Sequence, residues 1–196
     1  MKKEIILVRH AESIGNAGKR TTTPAGNNLT DIGRRQAKEL ADGITKAPDL
    51  IVWSTYPRTR ETAEPLSLKF PDTPAEEWPD IQEFTYLSPR KCFNTTPEER
   101  KPWVMSYWEK MNPEYRDGDG AESFSDMIER ARKLITKVKE RPESIIMIFT
   151  HGQFMEAIRI LLAYPKNDCI SLMKHFNENQ RGKTIKNCEI LKIIQR

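Results

Sequence analysis

Three short apolar runs constrain this chain more than any other feature: Ile5-Ile6-Leu7-Val8, Leu50-Ile51-Val52-Trp53 and Ile145-Ile146-Met147-Ile148-Phe149. Each is continuous rather than alternating and rich in β-branched residues, the pattern of a strand buried on both faces. Such a strand needs helices above and below it, and helical patterns follow every run. After the first, Leu29-Thr30-Asp31-Ile32-Gly33 leads into Ala37, Leu40, Ala41 and Ile44 at helical spacing. After the second, Pro57 stands where a first helical turn tolerates proline, and Thr62, Ala63 and Leu66 continue. After the third, Phe154, Ala157, Ile158, Leu161 and Leu162 form one stripe. The clearest helix starts at Ser123, with Asp126 as its capping partner, and carries Phe124, Met127, Ile128, Ala131, Leu134, Ile135 and Val138 on one face. A last strand is expected over Ile185 to Ile194. Strand then helix, repeated, predicts an α/β fold with a mostly parallel central sheet.

The segment from about Thr73 to Gly120 breaks that rhythm. It is proline-rich and holds three of the four tryptophans, Trp78, Trp103 and Trp108, with a short helix expected around Pro97 to Met111. It reads as an insertion or lid over the sheet's edge, so that residues 1–196 form one domain. The net charge of +4 is spread among acidic residues, which gives a solvated mixed surface and no nucleic-acid footprint. No apolar stretch approaches the roughly 20 residues that span a bilayer. Four aliphatic residues before Arg9 are too few for a secretory signal, so a cytoplasmic location is expected. Three widely spaced cysteines, Cys92, Cys169 and Cys188, predict reduced thiols without a disulfide framework. Oligomeric state is not legible at this level.

In open α/β sheets, ligands bind beyond the carboxyl ends of the strands. The first run ends in Arg9-His10, the second leads through Ser54 to Arg58, and the third ends in Thr150-His151-Gly152. Two of the three histidines of the chain therefore occupy equivalent strand ends. A lone histidine there is ordinarily a packing residue. Two beside two arginines make a cationic pocket suited to a phosphoryl group, because guanidinium pairs with its oxygens. Neighbouring positive charge also favours neutral imidazole, which is a competent nucleophile. A zinc reading lacks His-Glu-x-x-His or comparable spacing and a third ligand. Neither metal nor cofactor is expected.

These residues closely resemble the histidine phosphatase superfamily, the group that includes the cofactor-dependent phosphoglycerate mutases. The resemblance is carried in order by Leu7 to Asn16, by Leu29 to Gly33 with Gln36-Ala37, and by Ser54 through Arg58-Thr59-Arg60-Glu61-Thr62-Ala63. Ala121-Glu122-Ser123 and Thr150-His151-Gly152 complete it. It implies a three-layer α/β sandwich and a metal-independent phosphatase that carries a phosphohistidine on His10. It also implies that Arg9, Arg58 and His151 hold the phosphoryl oxygens, with Asn16, Ser13 and Gly152 as further contacts. The family's general acid matches Glu83, with Glu76, Glu77 and Asp80 as rival carboxylates. A raised carboxyl pKa, supplied by aromatic neighbours, would suit that role.

Ala11 and Gln153 stand where glycine is usual, and Gln153 is expected to narrow the pocket. Phe84-Thr85-Tyr86 replaces the mutases' Arg-His-Tyr-Gly, which argues for hydrolysis over phosphoryl return. The substrate expected is a small phosphorylated metabolite. Arg90, Lys91, Arg100 and Lys101 are candidates for a second anionic group, while Tyr86, Trp103, Tyr107 and Trp108 either stack on a ring or pack. Glu122 is either a pocket residue or a helix-start carboxylate, Ser123 a cap, and His175 structural or exposed. The rival functions are a phosphoglycerate mutase-type transferase and a non-catalytic phosphate- or phosphopeptide-binding module.

Overall fold

The computed structural model describes residues 3–23, 26–182 and 184–195. The three apolar runs are strands β1 (Lys3–Arg9), β2 (Leu50–Trp53) and, after an unforeseen β3 (Ala75–Glu77), β4 (Ile145–Thr150). The fifth strand, β5 (Ile190–Gln195), begins five residues later than expected. Ile185 instead lies buried in the loop before it. Among the described residues these strands form one sheet in the order β3-β2-β4-β1-β5. Only β5 runs antiparallel, against β1, and the other neighbours pair in parallel.

The continuous hydrophobicity of the runs follows from what covers them. Ile5, Leu7, Leu50, Val52, Ile146 and Ile148 face one side, where they pack against α5 (Phe124–Glu140), α6 (Gly152–Ala163) and α7 (Cys169–Gly182). Val8, Ile51, Met147 and Phe149 face the other, against Ala41 of α1 (Asp31–Gly43) and Ala63 and Leu66 of α2 (Pro57–Lys69). The period-2 alternation of strand side chains divides each run between the two layers. Leu162, expected in the α6 stripe, is exposed, because its four companions already fill the helix face turned to the sheet.

Helix starts obey local chemistry. Ser123 and Asp126 form a capping box at α5, and Thr96 and Glu99 form another at α4 (Pro97–Lys110), which follows the short α3 (Pro89–Cys92). Thr30 caps α1, its Oγ1 accepting from Gly33 N at 3.0 Å. Thr30 N also donates to the carbonyl of Glu12 at 3.0 Å, which docks α1 on the loop after β1. Gly33 makes that docking possible: a Cβ there would lie 2.0 Å from Glu12 O. Gly33→Ala should therefore destabilise the fold by about 1–3 kcal/mol. An unhindered helical site would instead gain up to about 1 kcal/mol from the same change. Urea midpoints decide the sign, and a stabilised variant would refute the close approach.

Most aromatic residues between β3 and α5 pack, while Phe93 is exposed. Tyr107 and Trp108 are buried, Trp108 stacks on Phe176 at 5.5 Å, and Phe84 meets both Tyr107 and Phe124 edge-on. Trp103 is half-buried beneath Lys91.

Candidate active site

Parallel pairing in register sets Arg9 opposite Thr150, and the ladder continues past the strand ends with His10 N donating to Thr150 O at 2.9 Å. His10 and His151 are thereby neighbours, their ring centroids 5.2 Å apart and their planes at 64°. Helix α2 starts at Pro57, which brings Arg58 to the same rim, and Arg58 lies between the two rings. Its Nε donates to His10 Nε2 at 3.1 Å, and its Nη2 lies 3.1 Å from His151 Nδ1. All three side chains are at most 5% exposed.

The protonation of His10 follows from its partners. Its Nδ1 is 2.7 Å from the carbonyl of Ala11, which can only accept. Nδ1 therefore carries the proton and Nε2 keeps its lone pair towards Arg58. The Ala11 backbone is held in turn: its N–H donates to Thr62 Oγ1 at 3.0 Å, and Thr62 donates to Arg58 O at 2.6 Å. The carbonyl of His10 accepts from Asn187 Nδ2 at 2.8 Å.

Burial, then the charge of Arg58, then that of Arg9 hold His10 well below its ordinary pKa of 6.5, against the opposing hydrogen bond to Ala11. His151 is depressed first by burial, then by Arg58, then by His10. Burial also lowers Arg58, to about 10, and Arg9. Below pH 6.5 the unfolded chain binds a proton at each of these imidazoles while the folded chain does not. Stability should therefore be lost as pH falls through 6.5, by up to about 1.4 kcal/mol per pH unit for each histidine. Urea unfolding at about pH 7.5 and pH 5.5 measures this. Equal or greater stability at the lower pH would contradict it.

Arg9 donates through Nη1 to Ile185 O at 2.5 Å, while its Nε is buried without a hydrogen-bond partner. Gly152, the first residue of α6, leaves room for that side chain: a Cβ there would stand 3.2 Å from Arg9 Nε. Glu83 reaches the same helix start. Its Oε1 accepts from Phe84 N at 3.0 Å and Phe154 N at 3.2 Å, and its Oε2 from Gln153 N at 3.4 Å. A carboxylate is well placed at a helix N-terminus, and the charge of Glu83 acts on both Arg9 and Arg58.

The rival carboxylates lie elsewhere. Glu76 bonds Trp78 Nε1 and Arg141, Glu77 is exposed on β3, and Asp80 is exposed on a wider cleft. Asn16 is exposed, and its Oδ1 accepts from Ser13 N, Ser13 Oγ and Asn187 Nδ2. Ser13 is buried in that turn.

A cleft of about 300 Å³ opens from Arg58 and Glu83 towards Thr21, Phe84, Leu87, Arg100 and Val104. Gln153 lines a different cleft, with Tyr86 and Trp108. Among the basic candidates, Lys91 pairs with Asp117 and Lys101 with Glu98, and Arg90 is exposed. Arg100 faces the 300 Å³ cleft, bonded to Thr21, Thr95 and the Cys92 carbonyl. Glu122 lines the wider cleft and pairs with Arg130 at 2.6 Å. His175 stacks on Tyr164, on α7, apart from the site. Sequence reasoning missed Asn187, which stands outside the motifs. It also missed the part played by Thr62 and Ser54, which lie inside them.

Comparison with known proteins places these residues in context. The family model described as histidine phosphatase superfamily (branch 1) matches residues 5–178. A metal-independent phosphoserine phosphatase of Arabidopsis thaliana is 26% identical over 79% of this chain and 66% of its own length. An adenosylcobalamin/alpha-ribazole phosphatase of Salmonella typhi is 27% identical over 93% of this chain and 90% of that protein. The solved structure of a mycobacterial glucosyl-3-phosphoglycerate phosphatase superposes with a TM-score of 0.74 at 18% identity, covering 99% of this chain and 91% of the other. This last likeness concerns the fold.

Proposed function

This chain belongs to the histidine phosphatase superfamily, and on that premise we propose that it hydrolyses phosphate monoesters through a phosphohistidine on His10. The observation that carries the reading is the His10 tautomer: Nδ1–H engaged by Ala11 O leaves the Nε2 lone pair facing Arg58. A buried, neutral imidazole of this kind is a nucleophile at neutral pH.

In the first step Nε2 of His10 attacks phosphorus, and the P–O bond to the leaving alcohol breaks. Glu83, in its carboxylic acid form, protonates the departing oxygen. Arg58, Arg9 and His151 hold the phosphoryl oxygens through the charge built up in transfer, and Gly152 gives Arg9 the room to do so. Asn16 and Ser13 shape the adjoining loop and serve as further phosphate contacts. In the second step Glu83 takes a proton from water, the hydroxide attacks phosphorus, and the P–N bond breaks. Inorganic phosphate leaves with His10 restored.

The site needs no metal for this chemistry. Among the described residues, no group of three or more His, Cys, Asp and Glu side chains is arranged to hold one. The volume of the cleft suits a small phosphorylated metabolite, and segment 73–120 acts as the lid of a single domain and selects it. Among the described residues, no helix is long and apolar enough to cross a membrane. Three free thiols fit a cytoplasmic place of work.

The test is turnover of an aryl phosphate in excess chelator, with an alkaline quench and mapping of the retained phosphoryl group. Label on the peptide containing His10 is expected. Inactivity across a broad panel of esters, or label elsewhere, would overturn the reading.

A further inference from the structure

Which nitrogen of His151 carries the proton is decided by Arg58 on the cleft side and by Ser54 and Thr59 behind the ring. The guanidinium of Arg58 only donates, so Nδ1 of His151, 3.1 Å away, presents a lone pair. The proton of the neutral ring is then on Nε2, which lies 2.8 Å from Ser54 Oγ. Ser54 Oγ is 2.9 Å from Thr59 Oγ1, and Thr59 Oγ1 is 2.8 Å from Tyr56 O and 3.0 Å from Ser54 O. Carbonyls only accept, so the single proton of Thr59 must point to them. The Ser54 proton must then point to Thr59, and Ser54 must accept from His151. The chain has one possible direction. His151, Ser54 and Thr59 are all 0% exposed, so solvent has no access to reverse it.

The two histidines are therefore locked in opposite forms: His10 as Nδ1–H through Ala11, and His151 as Nε2–H through Ser54. We propose that Ser54, backed by Thr59, is a positioning residue that fixes the His151 tautomer and so aims Nδ1 at Arg58 and the transferring phosphoryl group. The proposal rests on the reading of His151 as a phosphoryl contact. In this orientation Nδ1 accepts a P–O–H hydrogen bond from a monoanionic phosphoryl group while Nε2–H still donates to Ser54. The other tautomer would set an N–H against the N–H groups of Arg58, donor facing donor, and leave a buried nitrogen beside a hydroxyl with no proton to share.

The chain has three histidines, so protein labelled with ¹⁵N at histidine gives a readable spectrum. Long-range ¹⁵N–¹H correlations separate the two tautomers directly. The wild type is expected to show His10 as Nδ1–H and His151 as Nε2–H. Ser54→Ala should move His151 to a mixture or to Nδ1–H and lower kcat/KM by about 10- to 100-fold, the scale of one unsatisfied buried polar group. Ser54→Thr restores the hydroxyl and should restore both signals. Thr59→Val, close in volume, removes the end of the chain and should weaken the tautomer preference where Ser54→Ala does not fold. A wild-type His151 in the Nδ1–H form, or an unchanged His151 tautomer in both Ser54→Ala and Thr59→Val, would overturn the proposal. The spectra need no turnover, so a wild type inactive on every ester counts against the phosphatase reading alone.

Discussion

Replacing His10 by alanine should abolish turnover, lowering kcat/KM by about 10⁴-fold or more, the scale seen when a nucleophile is deleted. The size follows from the chemistry proposed for the site. Without Nε2 no P–N bond forms, and the two easier displacements collapse into one direct attack by water. Arg58, Arg9 and His151 remain, so phosphate binding should weaken far less than turnover. Because His10 is 3% exposed and bonded to Arg58, alanine also leaves a gap, and His10→Gln serves as the control that keeps volume. Both variants should lose the alkali-stable phosphoryl label and the burst of product while keeping the wild-type circular dichroism spectrum. Substantial hydrolysis by either folded variant would remove His10 from the mechanism.

The second large effect is expected at Glu83, and it depends on the ester. An alkyl phosphate has a poor leaving group that needs a proton, so Glu83→Gln should slow its hydrolysis by about 10²- to 10⁴-fold, the usual range for a general acid. A nitrophenyl phosphate leaves readily as its anion. Its first step should be nearly spared, and its second, which needs Glu83 as base, should be slow. The variant should therefore release a burst of nitrophenolate and then stall as phosphoenzyme. The amide oxygen can still accept from Phe84 N and Phe154 N, and only the long hydrogen bond from Gln153 N at 3.4 Å is lost where NH2 replaces the second oxygen. Glu76→Gln, at a side chain bonded to Trp78 and Arg141 on the far edge strand, should leave both rates near wild type. Equal losses in the first step, read from the burst, for good and poor leaving groups would show that Glu83 does not move the proton.

Much of this is legible in the sequence. The runs at Ile5, Leu50 and Ile145 became strands, and the residues just beyond them, Arg9-His10 and His151-Gly152, met at one rim because parallel strands end together. Arg58 joined them because a proline starts α2 one residue earlier. The capping box at Ser123 follows from hydrogen bonds that span three residues; those at Thr96 and Thr30 obey the same rule and came from the structure. Other elements carried no such sign. Strand β3, Ala75-Glu76-Glu77, has no apolar pattern and exists because the edge of β2 pairs with it. Helix α7 buries only Leu172, Met173 and Phe176 within a polar segment, and β5 starts late because the chain first turns to bring Ile185 O to Arg9 and Asn187 to His10.

What the amino-acid order determined by itself is whatever is settled within a few residues: periodicity, caps, and which side chains stand at the ends of buried strands. Only the tertiary structure decided which histidine nitrogen bears the proton, which carboxylate reaches the start of α6, and which basic side chains are already paired. Those outcomes depend on contacts such as Ser54 with His151, 97 positions apart. A hydrogen bond is directional and short-ranged, and no local pattern records where a distant partner will stand.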